Sequence, residues 1–341
     1  MGSSLRLKRI DEEGCLPEWD CLSDVEIVRI VQGSLESFPV FNHYVFPYSF
    51  RIWQGNRGVE EEFRWLNPPP EAYVPCPHTD RWAYELQHNR LTARLCSRKH
   101  LKSTTFYSHN MWKLWKSQKE SFEGLYISYN EDMAGYHTGN AKKLVRRNPF
   151  FEDVYEMSNA ATILDYSWQS DGKYRFSVVP AGVLGFKRGR HPRIVYCDDI
   201  LADPRNPLNT GTVDAITNTF FEDVMSLPQE GGELHLAGTP QTENDLFFQI
   251  QKRGRVKSEN NPGGFLWRRE PAVVNWVEKK VVWKELFGFE RLMEIRDEIL
   301  EKAFNKEYMC SPISAENAYF KRSDLEELVR FGREIGCCEL S

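Results

Sequence analysis

The sequence predicts an α/β fold with a mostly parallel central sheet flanked by helices. Short apolar segments, such as LTARLC (91–96) and RIVYC (193–197), are typical of buried strands, and KSTTFYSHNMWKLWK (102–116) has the apolar spacing of a helix. Strands that alternate with helices favour a parallel sheet, which binds ligands at the carboxyl ends of its strands. The 341 residues exceed what one core usually fills, so we also expect appendages.

The chain divides into three predicted parts: residues 1–77, an irregular N-terminal arm rich in aromatics and proline; residues 78–270, the core; and residues 271–341, a helical subdomain. Core elements are expected in this order: helix 81–89, strand 91–96, helix 102–118, strand 125–129, helix 133–148, two strands or a hairpin at 161–167 and 174–181, strand 193–197, helix 215–227 and strand 233–238. In the last part, residues 281–304 predict a charged helix, and Ser323 and Glu326 predict a capping box.

Composition excludes several classes of protein. A net charge of −5 gives no global basic field, so contacts with a polyanion must come from local patches. The eight cysteines contain no CxxC pair, which favours reduced thiols in a cytosolic protein and argues against zinc; Cys76 and His78 have no second ligand pair at a suitable distance. No signal peptide or long apolar run is present, so no membrane association is expected.

The segment CSRKHLKST (96–104) has the lysine and hydroxyl of a phosphate-binding loop. It lies between a buried strand and an amphipathic helix, where backbone N–H groups and the helix dipole converge on an anion. Lys102 would reach terminal phosphates and the Ser103 hydroxyl would hold Mg²⁺. Cys96 and Leu101 occupy the usual glycine positions, so the loop is expected to differ in detail. Alone, the segment is equally compatible with a basic helix N-terminus that binds nothing.

The pair Asp198-Asp199 follows the strand RIVYC and is the only Asp-Asp pair in the sequence. Two adjacent carboxylates at the end of a buried strand are costly unless a cation shares the site. We expect Asp198 to hold Mg²⁺ and Asp199 to orient or deprotonate an attacking water.

Two further segments add candidate residues. Thr239 follows the strand ELHLAG and is placed to sense a γ-phosphate, although Gly-Thr-Pro is also an ordinary turn. Arg188, in the loop KRGRHPR (187–193), is a candidate for neutralising transition-state charge, although a solvated basic loop is the commoner role for a single arginine.

In combination these segments resemble the ATPase domain of the large terminase subunit, the motor that packages DNA into tailed-phage capsids. CSRKHLKST resembles its deviant Walker A, RIVYCDDI (193–200) its Walker B and HLAGTP (235–240) its coupling motif, and FNKEYMCSPISAENAYF (304–320) resembles the end of the ATPase region. The likeness covers roughly residues 78–330, and the motifs are specific only together. Leu101 in place of glycine and Asp199 in place of glutamate depart from the pattern.

The resemblance implies an ASCE-type P-loop NTPase that uses ATP and Mg²⁺. It implies that the phosphates contact Cys96, Ser97, Arg98, Lys99, His100, Leu101, Lys102, Ser103 and Thr104. Arg98 would then act on its own subunit's nucleotide and Arg188 on a neighbour's. The arm would lie on the adenine side, where Trp82 and FPYSFRIWQG (46–55) are stacking candidates, though core aromatics are the simpler interpretation.

The resemblance further implies a ring, pentameric in the family, that acts on double-stranded DNA together with a portal protein and a small terminase subunit in the host cytoplasm. The basic cluster Lys142, Lys143, Arg146 and Arg147 is a candidate DNA contact, or else a solvated helix face. The chain ends at 341 without room for the family's nuclease domain, so we expect a truncated chain or isolated motor domain without DNA cleavage. Two alternatives stay open: a P-loop phosphotransferase acting on a small molecule, and a nucleotide-dead DNA-binding or scaffold module.

Overall fold

The computed structural model describes residues 23–50, 77–186, 189–201, 210–312 and 330. Its central sheet contains β1 (Leu91–Cys96), β2 (Phe122–Ser128), β3 (Tyr155–Glu156), β4 (Leu164–Ser167), β5 (Arg175–Gly182), β6 (Ile194–Asp198), β7 (Glu233–Gly238) and β8 (Leu266–Glu270). The strand order is β3-β4-β5-β2-β6-β7-β1-β8. The six strands from β5 to β8 in this order are parallel, whereas β3 and β4 are antiparallel additions at one edge.

The strand order confirms the predicted fold class. The strand β7 lies between β1, which leads into the predicted phosphate loop, and β6, which ends in the aspartate pair. This order brings the carboxyl ends of all three strands together at one edge of the sheet. The segments 161–167 and 174–181 form the predicted hairpin, as β4 and β5.

Helices cover both faces of the sheet. They are α1 (Asp24–Ser34), α2 (Pro77–His88), α3 (Lys102–Lys116), α4 (Glu131–Arg147), α5 (Thr210–Glu222), α6 (Leu246–Lys252), α7 (Phe289–Glu298) and α8 (Glu301–Glu307), with short 3₁₀ turns at Pro149–Phe151 and Val224–Ser226. In the part of the chain that is described, no helix combines the length and apolarity that crossing a membrane requires.

Successive side chains of β6 supply two separate cores. Ile194 and Tyr196 point into a cluster with α3 and α4, whereas Val195 and Cys197 point into a cluster with α5 and α6. Alternation of this kind follows from the pleat of a strand. Because both faces of β6 are covered, its sequence is a continuous apolar run that ends only at the two aspartates.

The N-terminal region is more regular than predicted. After α1, a helical turn (Phe38–Val40), a π-helical turn (Phe41–Val45) and a 3₁₀ helix (Phe46–Phe50) follow in succession. Phe38, Phe41 and Phe46 are buried in the cluster that also contains α3. The prediction of an irregular arm is therefore wrong for residues 24–50.

The C-terminal part has a small core of its own. A two-stranded sheet of β9 (Val273–Asn275) and β10 (Lys280–Val281) precedes α7 and α8, and Trp283, Phe287 and Phe304 are buried between them. We call this set the C-terminal cluster; its buried members are Ala272, Val273, Trp283, Phe287, Leu292, Ile295, Phe304 and Tyr308. The helix predicted over 281–304 begins only at Phe289, because residues 280–281 pair with β9. The predicted capping box lies outside the described residues.

Candidate active site

The predicted phosphate loop between β1 and α3 contains two residues with a left-handed backbone but no glycine. Lys99 and Leu101 both have φ of 63°, in the left-handed region that glycine usually occupies. Such a conformation costs a non-glycine residue on the order of 1–3 kcal/mol, so surrounding contacts must hold it. Leu101 is also the N-cap of α3 and gives it no side-chain hydrogen bond, so the first-turn amides lack a side-chain cap. That arrangement suits a bound anion.

Contacts with the C-terminal cluster hold the loop in this shape. The side chain of Leu101 packs against the cluster, and the His100 ring stacks on Phe287 with centroids 4.9 Å apart. The Ser97 hydroxyl donates to the carbonyl of Tyr308 at 2.8 Å, and the Arg98 amide donates to the carbonyl of Glu307 at 2.8 Å. These contacts with the C-terminal cluster thus stabilise a left-handed backbone that would otherwise favour glycine.

Asp198 is fully buried at the end of β6. Its Oδ2 atom accepts a hydrogen bond from the Tyr126 hydroxyl at 2.6 Å, and the His137 ring lies 3.7 Å away. Burial raises the pKa of Asp198 and the neighbouring Asp199 raises it further, against the opposing effects of His137 and Ser103. Among the described residues, its Oδ1 atom has no hydrogen-bond partner. A buried, unpartnered carboxylate oxygen near the Ser103 hydroxyl fits a Mg²⁺ ion, which uses few protein ligands and keeps several waters.

Asp199 connects three parts of the site. Its Oδ2 atom lies 3.0 Å from the Lys102 ammonium, and its Oδ1 atom accepts a hydrogen bond from the Thr239 amide at 3.2 Å. Its backbone φ of 47° is left-handed, and its own amide donates to the Ala237 carbonyl of β7. Burial disfavours the charged form of Lys102, but Asp199 and Asp198 outweigh it and raise the pKa of the ammonium. Lys102 is therefore positively charged at neutral pH.

Thr239 joins the aspartate pair to the C-terminal part through its backbone. Its carbonyl accepts from Gln241 Nε2 at 3.3 Å, and Gln241 Oε1 accepts from the Lys306 ammonium of α8 at 3.2 Å. The predicted role of the Thr239 hydroxyl stays a prediction. The interaction that the sequence did not suggest is the amide contact with Asp199.

The candidate arginines lie in different places. Arg98 is exposed in the phosphate loop, 3.9 Å from Glu307, and Arg188 lies outside the described residues. Arg190 and Arg193 lie before the amino end of β6, about 15 Å of strand away from Asp198. Arg193 pairs with Glu120 at 2.7 Å. Neither of these two arginines can serve the site of its own subunit.

Several solved structures of phage large terminases are similar to this chain. A mutant of the Thermus phage P74-26 large terminase ATPase domain matches at 16% identity and TM-score 0.49 over 74% of this chain and 98% of that one. The HK97 bacteriophage large terminase matches at 15% and 0.48 over 75% of this chain and 55% of that one. A large terminase from a thermophilic bacteriophage matches at 6% and 0.43 over 67% of this chain and 49% of that one. No protein-family model and no curated protein matches the chain.

The predicted DNA-contacting cluster needs correction at Lys142. This lysine is buried, and its ammonium donates to the carbonyls of Ser158 and Ala160 and pairs with Glu156 at 2.6 Å. Arg146 makes a two-pronged ion pair with the same Glu156. Lys142 holds the segment before β4 and cannot contact DNA, while Lys143 and Arg147 stay predictions.

Trp82 lies in the interior of the protein. It is buried, its indole N–H donates to Glu270 at 2.7 Å, and the Arg94 guanidinium lies 4.6 Å from its ring centroid. The prediction of adenine stacking is therefore wrong for Trp82, and the core interpretation holds. Phe46 is likewise buried in the core, and residues 51–55 of the second stacking candidate lie outside the described residues.

The residues behind Asp198 belong to no recognisable sequence motif. Tyr107 shares a 2.5 Å hydrogen bond with His137, and Tyr126 donates to the aspartate. The only available signal was the position of Tyr126 in the strand next to β6. His137 gave no signal, because α4 places it there only through tertiary packing.

Proposed function

We propose that this chain is a Mg²⁺-dependent ATPase and the motor domain of a large terminase. The observation that carries the proposal is the convergence of Lys102, Ser103 and the Asp198-Asp199 pair at the carboxyl edge of the sheet, with Lys102 and Asp199 only 3.0 Å apart. A lysine at a helix N-terminus facing two carboxylates at a strand end is the arrangement that P-loop enzymes use for phosphoryl transfer.

Ser103 and Asp198 would hold Mg²⁺, which neutralises charge on the β- and γ-phosphates when bound. The uncapped amides of the first turn of α3 would cradle the phosphates, and Lys102 would contact the terminal ones. Asp199 would then orient the attacking water and accept its proton. The exposed guanidinium of Arg98 is available to the nucleotide of its own subunit.

Coupling of hydrolysis to movement would run through Thr239. Its amide contacts Asp199, and through Gln241 it reaches Lys306 in the C-terminal part. A change at Asp199 during the reaction would therefore be transmitted both to β7 and to α8.

The substrate of the motor is proposed from the motif resemblance alone. It would be double-stranded viral DNA, moved into a procapsid by a ring of subunits docked on a portal protein, with a small terminase subunit as partner. These events would take place in the cytoplasm of the infected host.

A phosphate-release assay with and without linear duplex DNA tests the proposal, with Lys102→Ala as the inactive control. Release from the wild-type chain that increases with DNA and is lost in Lys102→Ala is the expected result. Phosphate transfer to a small acceptor instead of water would favour a phosphotransferase. DNA binding without any release would favour a scaffold module.

A further inference from the structure

A second cluster of ligating side chains lies away from the phosphate loop. His109 lies seven residues into α3, about 10 Å along the helix from Lys102. Glu233 and His235 begin β7, and their spacing of two places them on one face of that strand. One ligand atom from each of His109, Glu233 and His235 lies within 4.8 Å of the other two. We propose that these three residues bind a divalent transition-metal ion of the Zn²⁺ type.

An unsatisfied atom points to this ligand. His109 is fully buried, and its Nδ1 atom is 3.0 Å from the Tyr196 hydroxyl. Its Nε2 atom is buried and has no hydrogen-bond partner in the described part of the chain. A buried imidazole nitrogen without a partner costs free energy unless a ligand uses it.

The second histidine is oriented in the same way. His235 is fully buried, and its Nδ1 atom is 3.0 Å from the Thr92 hydroxyl. In both rings a hydroxyl lies within hydrogen-bond distance of Nδ1. With an ion bound, Nδ1–H would donate to that hydroxyl and Nε2 would offer its lone pair to the ion. This outer hydrogen bond is the usual companion of a metal-bound histidine. Burial lowers the pKa of both imidazoles, which keeps them neutral and available as ligands.

Glu233 supplies the third ligand and the negative charge. Its Oε2 atom is 3.2 Å from His235 Nε2, and its Oε1 atom pairs with the Lys113 ammonium at 2.6 Å. Binding of an ion would replace the contact between Glu233 and His235, while Lys113 would continue to orient the carboxylate. The proton on His235 would move from Nε2 to Nδ1, where Thr92 accepts the hydrogen bond.

The donor set selects the class of ion. Two histidines and one carboxylate suit Zn²⁺ and related transition metals, whereas Mg²⁺ and Ca²⁺ prefer oxygen ligands. The set contains no cysteine, which is why the cysteine pattern in the sequence gave no sign of it. Three protein ligands leave one tetrahedral position for water. The ion would connect α3, which begins at Lys102, to β7, which ends just before Thr239.

Metal titration of the chelator-treated full chain tests this site independently of ATPase activity. We expect one equivalent of Co²⁺ to give the visible absorption of a tetrahedral site and to be displaced by Zn²⁺. His109→Ala and His235→Ala should each lower the affinity at least about 100-fold, and Thr92→Val, which removes only the outer hydrogen bond, about 10–100-fold. Circular dichroism checks folding.

Two controls separate this site from others. His88→Ala removes an exposed histidine and Asp198→Asn alters the proposed Mg²⁺ site; both should bind Co²⁺ as the wild type does. If a histidine variant fails to fold, Glu233→Gln, which preserves size, should still lower the affinity at least about 10-fold. No tetrahedral Co²⁺ signal in the wild type, or unchanged affinity in the folded ligand variants, would overturn the proposal.

Discussion

The ammonium of Lys102 lies 3.0 Å from the carboxylate of Asp199, joining the first turn of α3 to the end of β6. The two residues are almost one hundred positions apart in sequence, and the parallel sheet alone brings them together. A phosphate that enters between them would compete with Asp199 for the lysine. Asp199 would then be released toward the attacking water.

Replacing Lys102 by alanine should abolish hydrolysis and leave the fold intact. Loss of a preorganised cation of this kind should lower turnover at least about 100-fold. The matched control is Lys116→Ala, because Lys116 also precedes a serine but lies in the last turn of the same helix. Turnover is measured alongside circular dichroism. A Lys102→Ala rate within about threefold of the wild type would contradict the site assignment.

Replacing each of the two aspartates by asparagine should affect different steps, nucleotide binding for Asp198 and hydrolysis for Asp199. Asp198→Asn should weaken binding of the Mg²⁺-nucleotide. Asparagine has no negative charge and has an amide nitrogen in place of one carboxylate oxygen, so the buried Oδ1 position no longer offers the cation a charged ligand. Asp199→Asn should keep nucleotide binding and stop the chemical step, because an amide cannot accept the proton of water. Equilibrium titration with nucleotide and single-turnover phosphate release separate the two effects. Equal losses of affinity would refute this division of roles.

The strands and the aspartate pair could be predicted from sequence because each buried strand is a nearly continuous apolar run. The strand β8 was missed because LWRRE (266–270) is mostly polar; its charges are satisfied by ion pairs, such as Arg268 with Glu85 at 3.0 Å. Residues 38–50 were missed because three kinds of helical turn follow one another, and no single period describes them.

The strained loop shows a different limit. A leucine at the usual glycine position predicts an altered backbone, yet Leu101 adopts φ of 63°. The compensating contacts come from the C-terminal cluster, about two hundred residues away in sequence. Local propensity cannot predict a conformation that distant packing imposes.

The effect of a substitution at Leu101 on stability and nucleotide affinity should therefore depend on how readily the new residue adopts positive φ. Leu101→Val should lower both stability and nucleotide affinity, since a β-branched residue strongly disfavours positive φ; the loss of stability should be about 1–3 kcal/mol. Leu101→Gly should preserve nucleotide affinity, because glycine adopts this φ freely. Urea unfolding and nucleotide titration of both variants provide the measurement. The idea fails if valine binds nucleotide as well as glycine does.

Stability should fall in acid because of histidines beside the phosphate loop. Burial lowers the pKa of His78 to about 3 and that of His100 to about 4, from an ordinary value of 6.5. Below about pH 6.5 the unfolded chain binds more protons than the folded one, so stability decreases as the pH falls toward those values. The loss between pH 7 and 5 should be about 1–2 kcal/mol per histidine.

Urea unfolding at both pH values measures this loss. His100→Leu, which keeps an apolar contact with Phe287 but cannot titrate, should reduce the difference between the two pH values. His88→Leu, at an exposed histidine, should not change it. A His100→Leu difference as large as that of the wild type would show that His100 does not contribute.

Assembly should control hydrolysis if an arginine is supplied by a neighbouring subunit. Arg190 and Arg193 lie beyond the amino end of β6 and cannot reach the nucleotide of their own subunit, and the motif resemblance assigns this role to Arg188. Such an arginine contributes about 10³–10⁵ in rate, so activity per subunit should rise with protein concentration.

Mixing Arg188→Ala with Lys102→Ala should restore some activity, because a mixed interface can combine an intact pocket with an intact arginine. Arg98→Ala should not be rescued in a mixture with Lys102→Ala, since Arg98 and Lys102 belong to the same phosphate loop and no subunit of that mixture has an intact pocket. An inactive mixture of Arg188→Ala and Lys102→Ala that demonstrably co-assembles would exclude Arg188, and the same mixing experiment with Arg190→Ala and Arg193→Ala would then identify the residue.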